Sequence, residues 1–121
     1  MGGANNHGVV LRLAQNGHPS EFSFDGTDGG DPDSGVVIDL SRHAIFGAMT
    51  QGAGGTYAGG IYTISAQGKE SVLWTFCQLS GCTDGVDPGA APLIEDQVGN
   101  FYGSTASGGT NNNGVVFQFT P

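Results

Sequence analysis

Positive charge is nearly missing from this chain. Arg12, Arg42 and Lys69 are its only basic residues besides three histidines, against 11 carboxylates, for a net charge of −8. Binding to phosphate requires clustered Lys and Arg, so the balance argues against nucleic acid and equally against an anionic membrane surface. Long apolar runs are missing too. Nothing approaches the ~20 residues of a membrane span, and residues 1–20 hold no apolar core of the signal-peptide kind. The expectation is no membrane insertion, and a chain that either is not exported or begins in a mature or trimmed form. Catalytic signatures are equally scarce: there is no G-x-S-x-G elbow, no H-E-x-x-H, no P-loop lysine and no dinucleotide fingerprint.

What the sequence does have is glycine, 23 residues in 121, together with β-branched and aromatic residues in short runs. Only 12% of residues are charged and 37% are hydrophobic, which separates the chain from the highly charged, weakly apolar class of disordered segments. Short strands punctuated by glycine turns fit best, in a length that suits one domain. Two cysteines stand in "FCQLSGC". A turn could bridge Cys77 and Cys82 as a local disulfide, which would imply an oxidising compartment; two free thiols remain the alternative. The C-x4-C spacing has no second pair to complete a zinc site.

The chain repeats itself. "GGANNHGVVLRL" at 2–13 returns as "GGTNNNGVVFQF" at 108–119, and "GGTYAGGIYTI" at 54–64 has the same pattern. "SEFSF" at 20–24 answers to "SVLWTF" at 71–76, "GVVID" at 35–39 to "APLIE" at 91–95, and "AIFGAMTQGAGG" at 44–55 to "NFYGSTASGG" at 100–109. The units span about 2–52 and 53–107, and 108–121 is the opening strand of a third. In the first unit the apolar runs are Val9–Leu13, Glu21–Phe24, Gly35–Asp39 and Ala44–Met49, separated by the Gly, Asn, Asp and Pro loops of antiparallel connections. Four short strands recurring about every 50 residues is the period of a β-propeller blade.

"GNFYGSTASGGTNNNGVVFQF", "SVLWTFCQLSGCTDGVDPGAAPLIED" and "SFDGTDGGDPDSGVV" together cover nearly the whole chain, and they resemble the GloVer tandem repeat of bacterial surface proteins. The resemblance implies a secreted or surface-displayed, β-propeller-like protein with no assigned chemistry. "LSRHAIFG" departs from "QVGNFYG", so Arg42 to Ala44 must turn differently. The fold expected is all-β: antiparallel, four-stranded, propeller-like blades, two complete units and one extra strand. Two blades cannot close a ring, and open edges invite pairing. A homo-oligomer that completes the ring or pairs its edges is therefore expected.

Candidate sites lie in the loops. Asp25, Asp28, Asp31 and Asp33, with Asp84 and Asp87 in the second unit, offer oxygens to calcium. The competing and preferred reading is that these aspartates cap turns, with Pro32 and Pro88 fixing the exits. Tyr57, Trp74 and Tyr102 are candidates for stacking against a glycan, although aromatic residues in strand runs more often pack in a core. His7, His18 and His43 fall in three kinds of loop; one of them beside the aspartates would make a small metal-assisted hydrolase. The favoured function is a secreted or surface scaffold that self-associates and binds a ligand, with a glycan as the candidate.

Overall fold

The computed structural model describes residues 2–121. Three of its hairpins share one turn. Gly17, Gly68 and Gly99 each occupy the left-handed third position of a three-residue loop, and their amides return to the carbonyls of Ala14, Ser65 and Asp96. Such loops, a turn plus a glycine bulge, close antiparallel strands without splaying them. The departing segment does turn differently: His43 supplies the left-handed residue there, at φ 51°.

The nine strands are β1 (Val9–Leu13), β2 (Pro19–Ser23), β3 (Val37–Asp39), β4 (Ala44–Met49), β5 (Gly60–Ile64), β6 (Glu70–Thr75), β7 (Ile94–Glu95), β8 (Phe101–Ser104) and β9 (Val116–Phe119). All pairs are antiparallel, and no α-helix occurs among the described residues. The fold is all-β, as composition and turn spacing indicate. The number of complete blades needs correction, however. The sheets are β1-β2, β3-β4-β5-β6 and β7-β8-β9, so only one has four strands. Sequence units and sheets run out of phase, because β4 of the first unit pairs with β5 of the second.

The three sheets stack in chain order, and the middle one is buried on both faces. Strand alternation divides its side chains. Val37, Ala44, Phe46, Ala48 and Ile61 point forward, where they pack on Leu93, Phe101, Phe117 and Phe119 around the third sheet. Ile45, Met49, Tyr62, Ile64 and Val72 point backward onto Val10, Phe22 and Phe24 of the first sheet and its exit. The two interfaces repeat one contact: Phe24 meets Tyr62 edge-on with centroids 5.2 Å apart, and Phe76 meets Phe117 at 5.1 Å. Each such aromatic pair contributes about 1 kcal/mol beyond the area it buries.

A second repeated feature joins the sheets through the backbone. Asp31 and Asp87 both adopt left-handed geometry, at φ 50° and 61°, directly before a proline. The Asp31 amide donates to the His7 carbonyl at 2.7 Å, and its own carbonyl accepts from the Thr50 amide at 3.1 Å. Asp87 does the same between Ala58 and Ala106, each at 2.9 Å. The prolines that follow close on glycines. A Cβ at Gly8 would lie 2.5 Å from Pro32 Cδ, and one at Gly59 would lie 2.3 Å from Pro88 Cδ and 2.7 Å from the Met49 carbonyl.

Gly59 also has φ +82°. Gly59→Ala is therefore expected to destabilise by about 3 kcal/mol, adding a backbone clash to left-handed strain. Gly54→Ala, at φ +75° with nothing within 4 Å, should cost only about 1 kcal/mol. Urea denaturation of the two variants checks the difference; equal losses would show that the proline contact does not constrain this position.

Candidate functional site

The aspartate loops serve the backbone. Asp25 Oδ1 accepts from the Thr27 amide at 2.8 Å and the Thr27 hydroxyl at 2.6 Å, and these bonds hold its pKa below the ordinary carboxylate value. Asp28 Oδ1 accepts from the Asp25 amide at 2.9 Å. Its counterpart Asp84 accepts from the Gln78 and Leu79 amides at 3.0 and 3.3 Å. Asp33 meets only the Thr50 hydroxyl, at 3.5 Å. Asp31 and Asp87 act through their main chains at the joints described above. Among the described residues, no three His, Cys, Asp or Glu side chains converge as a metal-binding group.

His7 does approach this loop, with its ring against Gly26, but its Nδ1 bonds Gln51 Oε1 at 2.8 Å. His43 lines a different cavity, between the first and middle sheets. The sequence unit gathers the three histidines; the fold does not bring them to one site.

Two aspartates that the sequence reading passed over hold the hairpins. Buried Asp39 accepts from the Ser41 and Arg42 amides at 2.8 and 3.0 Å and forms an ion pair with Arg42 at 2.5 Å. Burial pushes its pKa up, but the bonds from Arg42 and Ser41 prevail and hold it far below the usual range. Asp96 takes the equivalent place. It accepts from the Asn100 amide and side chain, the Val98 amide and the Tyr102 hydroxyl, and its pKa is lowered to about 2, chiefly by Asn100. Asp39 thus answers to Asp96, one position beyond the pairing of 35–39 with 91–95; that single-residue offset hid the signal. Arg42 also reaches Glu95 at 3.5 Å and the Gly99 carbonyl at 3.4 Å, which ties the middle sheet to the third.

Of the three aromatic candidates, Trp74 lines a groove. That groove, about 670 Å³, lies between β6 and β9, walled by Ile61, Leu73 and Phe76 on one side and Val115–Pro121 on the other, with Thr83 and Asp84 at its edge. Trp74 is 44% exposed there, because β9 has no strand on its outer edge to cover it. Tyr57 is freely exposed on the loop before β5. Tyr102 is half-buried and bound to Asp96.

Cys77 and Cys82 form a disulfide. It staples an extended version of the aspartate loop, and closing so short a loop contributes about 2 kcal/mol in the chain-entropy account. The bond is compatible with an extracellular location, and no helix among the described residues is long and apolar enough to cross a membrane. Comparison with protein-family models, with curated proteins and with solved structures gave no match.

The titrating groups set opposite limits on stability. Burial, with Asp28 and Asp25 nearby, raises the Glu70 pKa to about 7 from 4.5; one of its oxygens is buried without a partner, as is the Tyr62 hydroxyl. A raised carboxylate is more stable protonated in the folded state, so its ionisation costs stability as pH climbs from 4.5 to about 7. The lowered Asp39 and Asp96 act in the other direction, and their contribution is lost as pH falls below the ordinary carboxylate value of 3.8. Stability should peak at about pH 4, between these two limits. Glu70→Gln is expected to stabilise by about 1 kcal/mol at pH 8, after allowing for solvent screening of this half-exposed group, and to change little at pH 4.5. Thermal melts across pH decide this; a variant that keeps the wild-type slope on the neutral side would show that Glu70 titrates normally.

Proposed function

We propose that the chain is a β-sheet repeat module of a secreted or surface-displayed bacterial scaffold, one that self-associates and has no chemistry of its own. The observation that carries this reading is the inequality of the sheets. The middle one has four strands and two covered faces; those at either end have two and three strands and one covered face each. Repeat architectures bury each unit's apolar surface against its neighbours, and here only the middle sheet achieves that. The disulfide and the resemblance to surface repeats support the location. On this reading, light scattering should give a mass that rises above the monomer with concentration. A monomer at every concentration would defeat the scaffold.

A second reading, a glycan site, is favoured by Trp74. Its ring is exposed in a groove whose volume falls within the ~300–1,000 Å³ of ordinary ligand sites, and Thr83 and Gln118 provide hydrogen-bonding groups beside it. Trp74 is the only tryptophan, so intrinsic fluorescence reports on this groove alone. Glycans that bind on an array should quench that fluorescence saturably and bind at least tenfold more weakly to Trp74→Ala, a loss of ~1.4 kcal/mol or more. A silent array, or binding unaffected by Trp74→Ala, would remove the groove as the site.

A further inference from the structure

The two end sheets expose the two halves of one interface. Within the molecule the stacking has a constant direction: the forward face of each sheet meets the backward face of the next. On the third sheet, Ile94, Tyr102 and Val116 stand where Val37, Phe46 and Ile61 stand on the middle sheet, as the strand registers show. Ile61 is 1% exposed, whereas Val116 is 84% and Ile94 65% exposed. On the first sheet, Leu11 and Leu13 hold the places of Tyr62 and Ile64. Those two are 0% and 5% exposed, against 54% and 72% for the leucines. In a chain of net charge −8 these faces carry little charge: Glu21 stands beside Leu11 on the first sheet, and the Asp96 carboxylate accepts from the Tyr102 hydroxyl on the third.

From these correspondences, and resting on the scaffold reading above, we infer that the forward face of the third sheet docks on the backward face of the first sheet in a second copy of this chain. The occupant follows from continuity: among the described residues, these two faces match the packing already seen twice inside the molecule. Phe46 lies over Phe119 with centroids 6.4 Å apart, so Tyr102 of one copy faces Leu13 of the next, and Val116 faces Leu11. The contact is heterologous, because different patches meet, and it therefore propagates into a ring or a filament rather than stopping at a two-fold dimer. Strand exchange, with β1 of a second copy replacing β9 beside β8, is the competing arrangement. It would exchange Phe117 and Phe119 for two leucines and lose the stacked Phe101–Phe119 pair, whose centroids are 5.1 Å apart, so β9 keeps its place. With only two and three short strands meeting, the interface is small, and association should be weak and concentration-dependent.

The test uses two variants at exposed positions, Val116→Glu on one face and Leu13→Glu on the other, each checked for wild-type near-ultraviolet dichroism. Sedimentation velocity at about 200 µM, suited to a weak interface, should show wild type associated and each variant alone monomeric. An equal mixture of the two should form a heterodimer and nothing larger, since one intact interface remains. If wild type associates but the variants still do, association runs through strand edges; this inference then falls and the scaffold reading survives. Variants that stay monomeric even when mixed indicate a two-fold contact and also overturn it. A wild type that never associates defeats both.

Discussion

The left-handed aspartate before proline is the constraint on which the stack depends. Asp31 and Asp87 each join three segments: a loop of one sheet (before β1 for Asp31, between β4 and β5 for Asp87), the loop leaving that sheet and the end of an inner strand of the next. The geometry is strained, at a cost on the order of 1–3 kcal/mol for each residue, and aspartate is among the few residues that tolerate it. Two backbone hydrogen bonds at each site offset that cost and place the proline ring against a glycine where no side chain fits. Sheet spacing and orientation are thus set by the main chain before any core residue is chosen. This explains how the cores can differ, one centred on Tyr62 and Met49 and the other on Phe46 and Phe101, while their geometry repeats.

The same joint answers the question raised by so many carboxylates in a chain of net charge −8. The aspartates repeated in both units, Asp28 with Asp84 and Asp31 with Asp87, are those whose work is closing and joining loops. Asp25 and Asp33 occur once; Asp25 serves its local turn, and Asp33 accepts from the Thr50 hydroxyl after β4. The second unit replaces local aspartate bonds with a disulfide across a longer loop, so one role is filled by two chemistries. Asp39 and Asp96 extend the pattern to the hairpins beyond. Carboxylates accept main-chain amides here because few cations are present to pair with them. Arg42 is the exception, and it sits where two sheets meet.

Much of this was legible in the sequence, in unequal parts. Turn residues and alternation located the strands of the first unit to within two residues, and the repeat marked the Asp-rich loops and the prolines that fix their exits. The pairing of strands into sheets was not legible. A repeat unit can be cut at any loop, and nothing in "AIFGAMTQGAGGTYAGGIYTI" says that β4 pairs across the unit boundary with β5 rather than ending a blade. Exposure was equally hidden. Val116 and Ile61, or Leu13 and Ile64, are interchangeable in composition and differ only in whether another sheet follows. Glu70 escaped notice because its raised pKa comes from burial and from a loop far away in sequence, neither of which a strand pattern encodes.

Scaffold and ligand readings meet at β9. Val116 and Gln118 line the groove beside Trp74 and also stand on the proposed docking face, whereas Ile94 and Tyr102 of that face lie outside the groove. A second copy docked on this face would bring its own Trp74 groove. Weak individual contacts with a repetitive ligand would then act together, with an effective concentration set by the stack rather than by a flexible linker. Rigidity is what would make that arithmetic favourable, and within each copy it originates in the aspartate joints, which fix the three sheets relative to one another.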